Sequence, residues 1–261
     1  MKVLKITLRA LLRSSINFYY RIFFKLQYSH KKNNILIYTD SRGFLVNCFL
    51  CNKTPYKSYI QKLSKDYNIE YQLCPYKHTT TIDFLNYINN KNVQNYSHII
   101  LHLGIVDYSP RPLSQLKMVY NKKLTITNNF LPGVKMLPNY YNNLYQGEKT
   151  FSLYDLNFLE YILDRLSKIS TETKIIWIGL NKVDLDWNGN YLKQRPSNIN
   201  IILEYQAYIQ KYLLSHSTNI AYININTIKS FELKKHTIDN MHLTNLGFDF
   251  LYTEILNELR K

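Results

Sequence analysis

The chain has 261 residues, of which 46% are hydrophobic, 15% aromatic and 20% charged, with only seven Gly and seven Pro. That apolar content buries the core of one large domain, and the composition excludes disordered, collagen-like and repeat classes. The formal charge of +15 raises nucleic acid and anionic membranes as partners; the 24 Tyr fit an A/T-rich coding bias and are not read as a binding surface.

Residues 1–32 carry Lys2, Lys5, Arg9, Arg13, Arg21, Lys25, Lys31 and Lys32 with no Asp or Glu, so this segment supplies +8 and the remaining 229 residues only +7. At helical spacing Lys2, Lys5, Arg9 and Arg13 form one stripe, with Leu4, Leu8, Leu11, Phe18, Tyr19, Ile22 and Leu26 on the adjoining face. The segment reads as a basic amphipathic helix. Residues 1–27 either rest on an anionic membrane surface or pack on the protein's own core, and amphipathicity alone does not separate the two. The charges at 9, 13, 21 and 25 interrupt every apolar run, which excludes a transmembrane span. No apolar h-region is recognised either, so no signal peptide is expected. The expected location is the cytoplasm, with peripheral attachment to the inner membrane surface left open.

From residue 33 the pattern changes to short apolar runs alternating with helical periodicity. Ile35–Tyr38 is a buried-strand run, followed by Thr39-Asp40-Ser41-Arg42-Gly43. Residues 44–50 look like a buried helix, and 55–67 and 81–91 like amphipathic helices around a strand at Ile69–Leu73. Cys48, Cys51, Cys74 and His78 have a spacing that superficially suits zinc. Their apolar setting reads instead as small core residues, so no metal or cofactor is expected. Ser97–Leu103 is a third strand. Gly104 to about Thr150 shows no clear strand and is rich in Asn, Tyr and Pro; an insertion of that length, leaving a strand end, reads as a lid or binding element. A helix at 152–170, a strand at Lys174–Ile178, a helix near 198–215, a strand at Ile220–Ile225 and a helix at 244–260 complete the chain. Asn181-Lys182-Val183-Asp184 matches a guanine-reading loop, but none of the seven glycines opens a phosphate loop, and GTP binding is set aside.

Alternating strands and helices predict a three-layer α/β/α sandwich on a five-stranded parallel, flavodoxin-like sheet, with ligands beyond the carboxyl ends of the strands. Two constellations fall there. Ser41, after the first strand, is either an N-cap or a nucleophile at a turn rich in backbone N–H groups. Asp239 and His242, three apart before the last helix, allow the carboxylate to take the imidazole Nδ1–H and leave Nε2 as a base.

Taken together, D-S after strand one, G-x-x-D after strand three and D-x-x-H-L-T-x-x-G before the last helix resemble the SGNH (GDSL-like) hydrolase family over residues 33–260. The resemblance implies Ser41 as nucleophile, His242 as general base, Asp239 as its orienter and the Ser41 N–H as an oxyanion donor. Two departures stand out. The family's Gly after strand two is missing from Cys74–Thr81, leaving a backbone N–H near His78 as the nearest match. The Asn of the family's G-x-N-D is Val106 in Gly104-Ile105-Val106-Asp107, and loss of one such donor typically costs about 10²–10³ in kcat. Arg42 and Arg111, the latter held between Pro110 and Pro112, are the candidate replacements for oxyanion or substrate binding, with Asp107 in the same segment. The resemblance implies a serine esterase or O-acyltransferase acting on acyl groups, acetyl above all, of a carbohydrate such as cell-surface polysaccharide. The alternative is a catalytically weakened carbohydrate-binding protein. Nucleic acid is not expected as a partner, since no recognised module accompanies the basic charge.

Overall fold

The computed structural model describes residues 8, 11–12, 14–16, 18–20, 22, 34–48, 51–131, 133–190, 195–216 and 218–261. In the N-terminal segment the described residues are helical. Leu8, Leu11, Leu12, Phe18, Tyr19 and Ile22 are exposed, while Tyr20 packs against the core below. The predicted basic stripe of Lys2, Lys5, Arg9 and Arg13, with Leu4, Arg21, Lys25, Leu26, Lys31 and Lys32, lies outside the described residues.

The elements follow in order: β1 (Asn34–Thr39), α1 (Tyr59–Leu63), β2 (Asn68–Leu73), α2 (Thr81–Ile88), β3 (His98–His102), α3 (Ile105–Tyr108), β4 (Arg111–Pro112), α4 (Leu113–Phe130), β5 (Asn139–Tyr145), β6 (Glu148–Ser152), α5 (Leu156–Ser170), β7 (Lys174–Ile178), α6 (Ile202–Ser215), β8 (Ile220–Ile223), α7 (Leu233–His236) and α8 (Asn245–Leu259). Five strands form one parallel sheet in the order β2-β1-β3-β7-β8. This is the predicted three-layer α/β/α sandwich. Strand alternation divides the core: Leu36, Tyr38, Ile99, Leu101 and Trp177 face α2, α5 and α6, while Ile35, Ile37, Ile100 and Ile178 face α1 and α8. The chain leaves β1 toward β2 on one side and later returns to β3 on the other, so the crevice at the carboxyl end of β1 is the switch point where such sheets bind ligands.

The sequence expectation fails in two places. Residues 44–48 run as turns rather than a helix, with Cys48 and Cys51 joined as a disulfide and Cys74 free and buried. The 104–150 insertion is not structureless: it contains the 18-residue α4 and an antiparallel sheet in the order β4-β6-β5. This unit is fastened to the main domain. Ser152 Oγ donates to the Tyr108 carbonyl at 2.8 Å, the Leu153 N–H donates to the Asp107 carbonyl at 3.0 Å, and Lys123 of α4 pairs with Asp83 of α2 at 2.5 Å.

Candidate active site

The β1 exit is built by short-range constraints. The Asp40 N–H donates to the His102 carbonyl at 3.0 Å, tying β1 to β3, and the Asp40 carboxylate caps a 3-10 turn over Ser41–Gly43 by accepting the Arg42 N–H at 3.0 Å. The turn folds back so tightly that a Cβ on Gly43 would sit 2.0 Å from Thr39 Oγ1; glycine is required there. Ser41, the first residue of the turn, lies where its N–H has no role in the turn's own hydrogen bonding.

From the other end of the chain, the loop before α8 brings His242 over Ser41. Ser41 Oγ and His242 Nε2 are 2.9 Å apart, across a separation of 201 residues. His242 Nδ1 stands 2.8 Å from Asp239 Oδ2, and Asp239 Oδ1 also accepts the backbone N–H groups of His242 and Met241 at 2.8 and 3.2 Å. Burial works to raise the Asp239 carboxyl. The hydrogen bonds from His242, with the Arg195 charge, outweigh it and hold the carboxyl below its ordinary range. An anionic carboxylate on Nδ1–H leaves Nε2 a lone pair that can accept the Ser41 hydroxyl's hydrogen bond. The loop is anchored by Thr244, whose hydroxyl caps α8 by accepting the Gly247 N–H.

A second loop, for which the motifs give no expectation, clasps the first. Asn240 sits at φ +73° and is fully buried. Its side-chain amide donates to the Asp184 and Trp187 carbonyls, its Oδ1 accepts the Asp184 N–H at 2.8 Å, and its own carbonyl accepts Asn181 Nδ2 at 2.5 Å. The Asn190 N–H donates to the Ile238 carbonyl at 2.8 Å, and Gly189 lies so close that a Cβ would meet that oxygen at 1.8 Å. Arg195 completes the clasp, donating to the Asp239 carbonyl at 3.1 Å and pairing with Oδ2 at 3.5 Å. The Asn181–Asp184 stretch that resembled a guanine reader thus braces the Asp239 loop.

The remaining candidates divide. Arg42 is not available as an oxyanion donor: it is buried, forked on the Asp40 carboxylate at 2.8–3.2 Å, with its other terminal nitrogen on the Gly179 carbonyl. Removing one partner of such a buried pair costs about 3–5 kcal/mol, so Arg42 is committed to holding the turn. Asp107 is also removed from the substrate side. It is fully buried and accepts the Thr81 N–H and the Tyr154 hydroxyl at 3.0 and 2.8 Å; burial pushes its carboxyl up to about 6 despite these bonds. Arg111 differs. Its Nη1 donates to the Val106 carbonyl at 2.6 Å, which sets the guanidinium beside the position where the resemblance expects an Asn side chain. His78 is half-buried in the turn after β2. Burial, then the charges of Arg111, Lys77, Lys123 and Lys122, push its imidazole down to about 4. Among the described residues no group of three His, Cys, Asp or Glu is placed to hold a metal.

The sheet order, with the Ser41 turn at its switch point and the late Asp-His loop beside it, is a three-layer α/β/α fold of the SGNH/GDSL type. The solved structures it resembles carry that fold. A lipase/acylhydrolase from Enterococcus faecalis matches 87% of this chain and 95% of its own at 15% identity and a TM-score of 0.53. A protein from Lactobacillus plantarum matches 88% and 97% at 12% identity and a TM-score of 0.51, and a GDSL-like lipase from Parabacteroides merdae 85% and 93% at 11% and 0.50. No family model and no curated protein sequence matches the chain.

Proposed function

We propose that the protein is a serine-dependent acyl hydrolase or O-acyltransferase that works through an acyl-Ser41 intermediate. The observation that carries this reading is the hydrogen-bonded chain Ser41 Oγ, His242 Nε2, His242 Nδ1, Asp239. As Ser41 Oγ bonds to the ester carbonyl carbon, His242 takes its proton. The proton then goes to the departing alkoxide as the old C–O bond breaks. Water or a second hydroxyl, deprotonated by His242, attacks the acyl-enzyme and releases Ser41 with its proton restored. The Ser41 N–H and Arg111, on the Val106 carbonyl, are the groups proposed to meet the oxyanion, with an N–H near His78 on the opposite bank.

The proposed substrate is an acylated, above all acetylated, carbohydrate such as cell-surface polysaccharide. The polar, Tyr-bearing insertion beside the site supports it, as does the N-terminal helix, proposed to rest on an anionic membrane surface. A carbohydrate-binding protein with weakened catalysis is the second reading, favoured by Val106 in place of a side-chain donor.

The test is hydrolysis of p-nitrophenyl acetate together with labelling by a fluorophosphonate. Labelling and turnover that vanish in Ser41→Ala are expected, with Arg111→Ala lowering kcat by about 10²–10³. A folded wild-type protein that neither labels nor hydrolyses refutes the enzyme and leaves the binding protein. Unaltered kcat in Arg111→Ala removes that residue from the oxyanion site.

A further inference from the structure

The two banks of the β1 crevice carry charge of one sign. On one bank, the turn containing Lys77 and His78 follows β2, and it begins at Cys74, whose N–H donates to the Thr39 carbonyl at 2.8 Å beside the Ser41 turn. On the other bank, after β3, stands Arg111, fixed to the Val106 carbonyl and set between two prolines. On α4, Lys123 Nζ lies 5.4 Å from the centre of the Tyr76 ring in the turn after β2, and Lys122 precedes it in the helix.

These cations are unequally compensated. Lys123 is buried and paired with Asp83. Among the described residues, no carboxylate forms an ion pair with Arg111, Lys77 or Lys122. The nearby acid, Asp107, favours the Arg111 charge without pairing with it: its Oδ1 accepts from Thr81 and Tyr154, and its Oδ2 is buried without a partner among the described residues. Burial pushes the Arg111 guanidinium down to about 10, so it remains charged at neutral pH. It makes one hydrogen bond among the described residues, to a carbonyl, and that leaves most of its donors open. Burial first, then the charges of Arg111, Lys77, Lys123 and Lys122, lower the His78 imidazole. Uncompensated cations converging on a ligand crevice attract and hold an anion.

We propose that Lys77, Lys122 and the Arg111 donors not turned to the oxyanion, with His78 as a hydrogen-bonding partner, form a subsite for a phosphate or carboxylate group carried by the substrate. The ester presented to Ser41 therefore belongs to an anionic molecule. This deepens the acyl-transfer reading, yet the subsite is testable without turnover.

The first measurement follows the His78 ring resonances of the full chain during titration with inorganic phosphate, and separately with 4-hydroxybenzoate, at constant pH and ionic strength. A saturable shift with either anion is expected, weakened about tenfold in the Lys77→Gln/Lys122→Gln protein, the size of one charge-assisted contact. Phosphate alone, or the carboxylate alone, shifting the ring identifies which anion the subsite takes. No saturable shift with both, or the same affinity in the double variant, overturns the proposal.

The second measurement compares kcat/KM for 4-acetoxybenzoate and its methyl ester at low salt. Where the carboxylate shifts the ring, a preference of about tenfold for the charged ester is expected, falling with added salt and in the double variant; parity or preference for the neutral ester then overturns it. If neither ester is turned over while the His78 shift saturates, the subsite stands and the serine mechanism falls.

Discussion

Arg195 reaches the acid of the site from a loop far away in sequence, bonding to the Asp239 carbonyl and pairing with its carboxylate. The groups that set the Asp239 charge are His242 on its own loop and Arg195 opposite; Asp184, held by Asn240 and paired with Lys234 at 3.6 Å, stands behind them. Arg195 is one of the groups that hold the Asp239 carboxyl below its ordinary range. Without it the carboxyl takes up a proton at higher pH and stops orienting the imidazole. In Arg195→Met the acid limb of kcat/KM is therefore expected to move upward, and Arg195→Lys to return it. A fall in kcat with the limb unmoved would make Arg195 a packing residue only. At this scale the sequence reveals what lies on one turn. Asp239 and His242 are legible because three residues of chain bring them together, and Ser41 because it ends an apolar strand. Arg195 has no motif, since its partner lies 44 residues away. Arg42 misleads, because adjacency to Ser41 says nothing about which way a guanidinium turns.

Among the elements, the 181–190 loop decides whether the Asp239 loop can be held at all. Gly189, at φ +63°, lets that loop touch the Ile238 carbonyl, where any side chain collides with backbone. Gly189→Ala combines left-handed strain with that collision. The expected loss is about 1–3 kcal/mol, or a Tm lower by roughly 2–10 °C in a chain of this size, with esterase activity falling alongside. An unchanged melting curve and full activity would show that the two loops are not coupled. The main strands are legible because β1, β3 and β7 are continuous apolar runs, the mark of strands covered on both faces. The insertion is not. α4 is largely polar and keeps only Leu116 and Val119 as buried apolar anchors, and the mostly exposed β5 reads NYYNNLY. Its stability comes from tertiary contacts such as Lys123–Asp83, which local periodicity does not encode.

For the whole molecule, one group of tyrosines serves as architecture. Tyr108 stacks on Tyr205 at 4.6 Å, Tyr154 holds Asp107, and the Tyr205 hydroxyl donates to the Tyr154 carbonyl, so the ring cluster joins the insertion to α6. The charge does not distribute that way: more than half of the excess lies in the first 32 residues. The described part of that segment turns Leu8, Leu11, Phe18 and Tyr19 outward, at 59–65% exposure, while Tyr20 packs against the domain. A helix packed on its own core would bury that row. An apolar row in a segment whose sequence holds eight basic residues suits an anionic bilayer, where each Lys or Arg near the surface contributes about 1 kcal/mol and the buried side chains add their transfer energy. The full chain is therefore expected to float with phosphatidylglycerol vesicles, far less with phosphatidylcholine, and less again at high salt. Leu11→Ser/Phe18→Ser, which leaves the Tyr20 seat intact, is expected to abolish flotation without changing the melting temperature. Equal flotation of this variant, or none of the wild type, would remove the membrane from the proposal and leave the helix face for another partner.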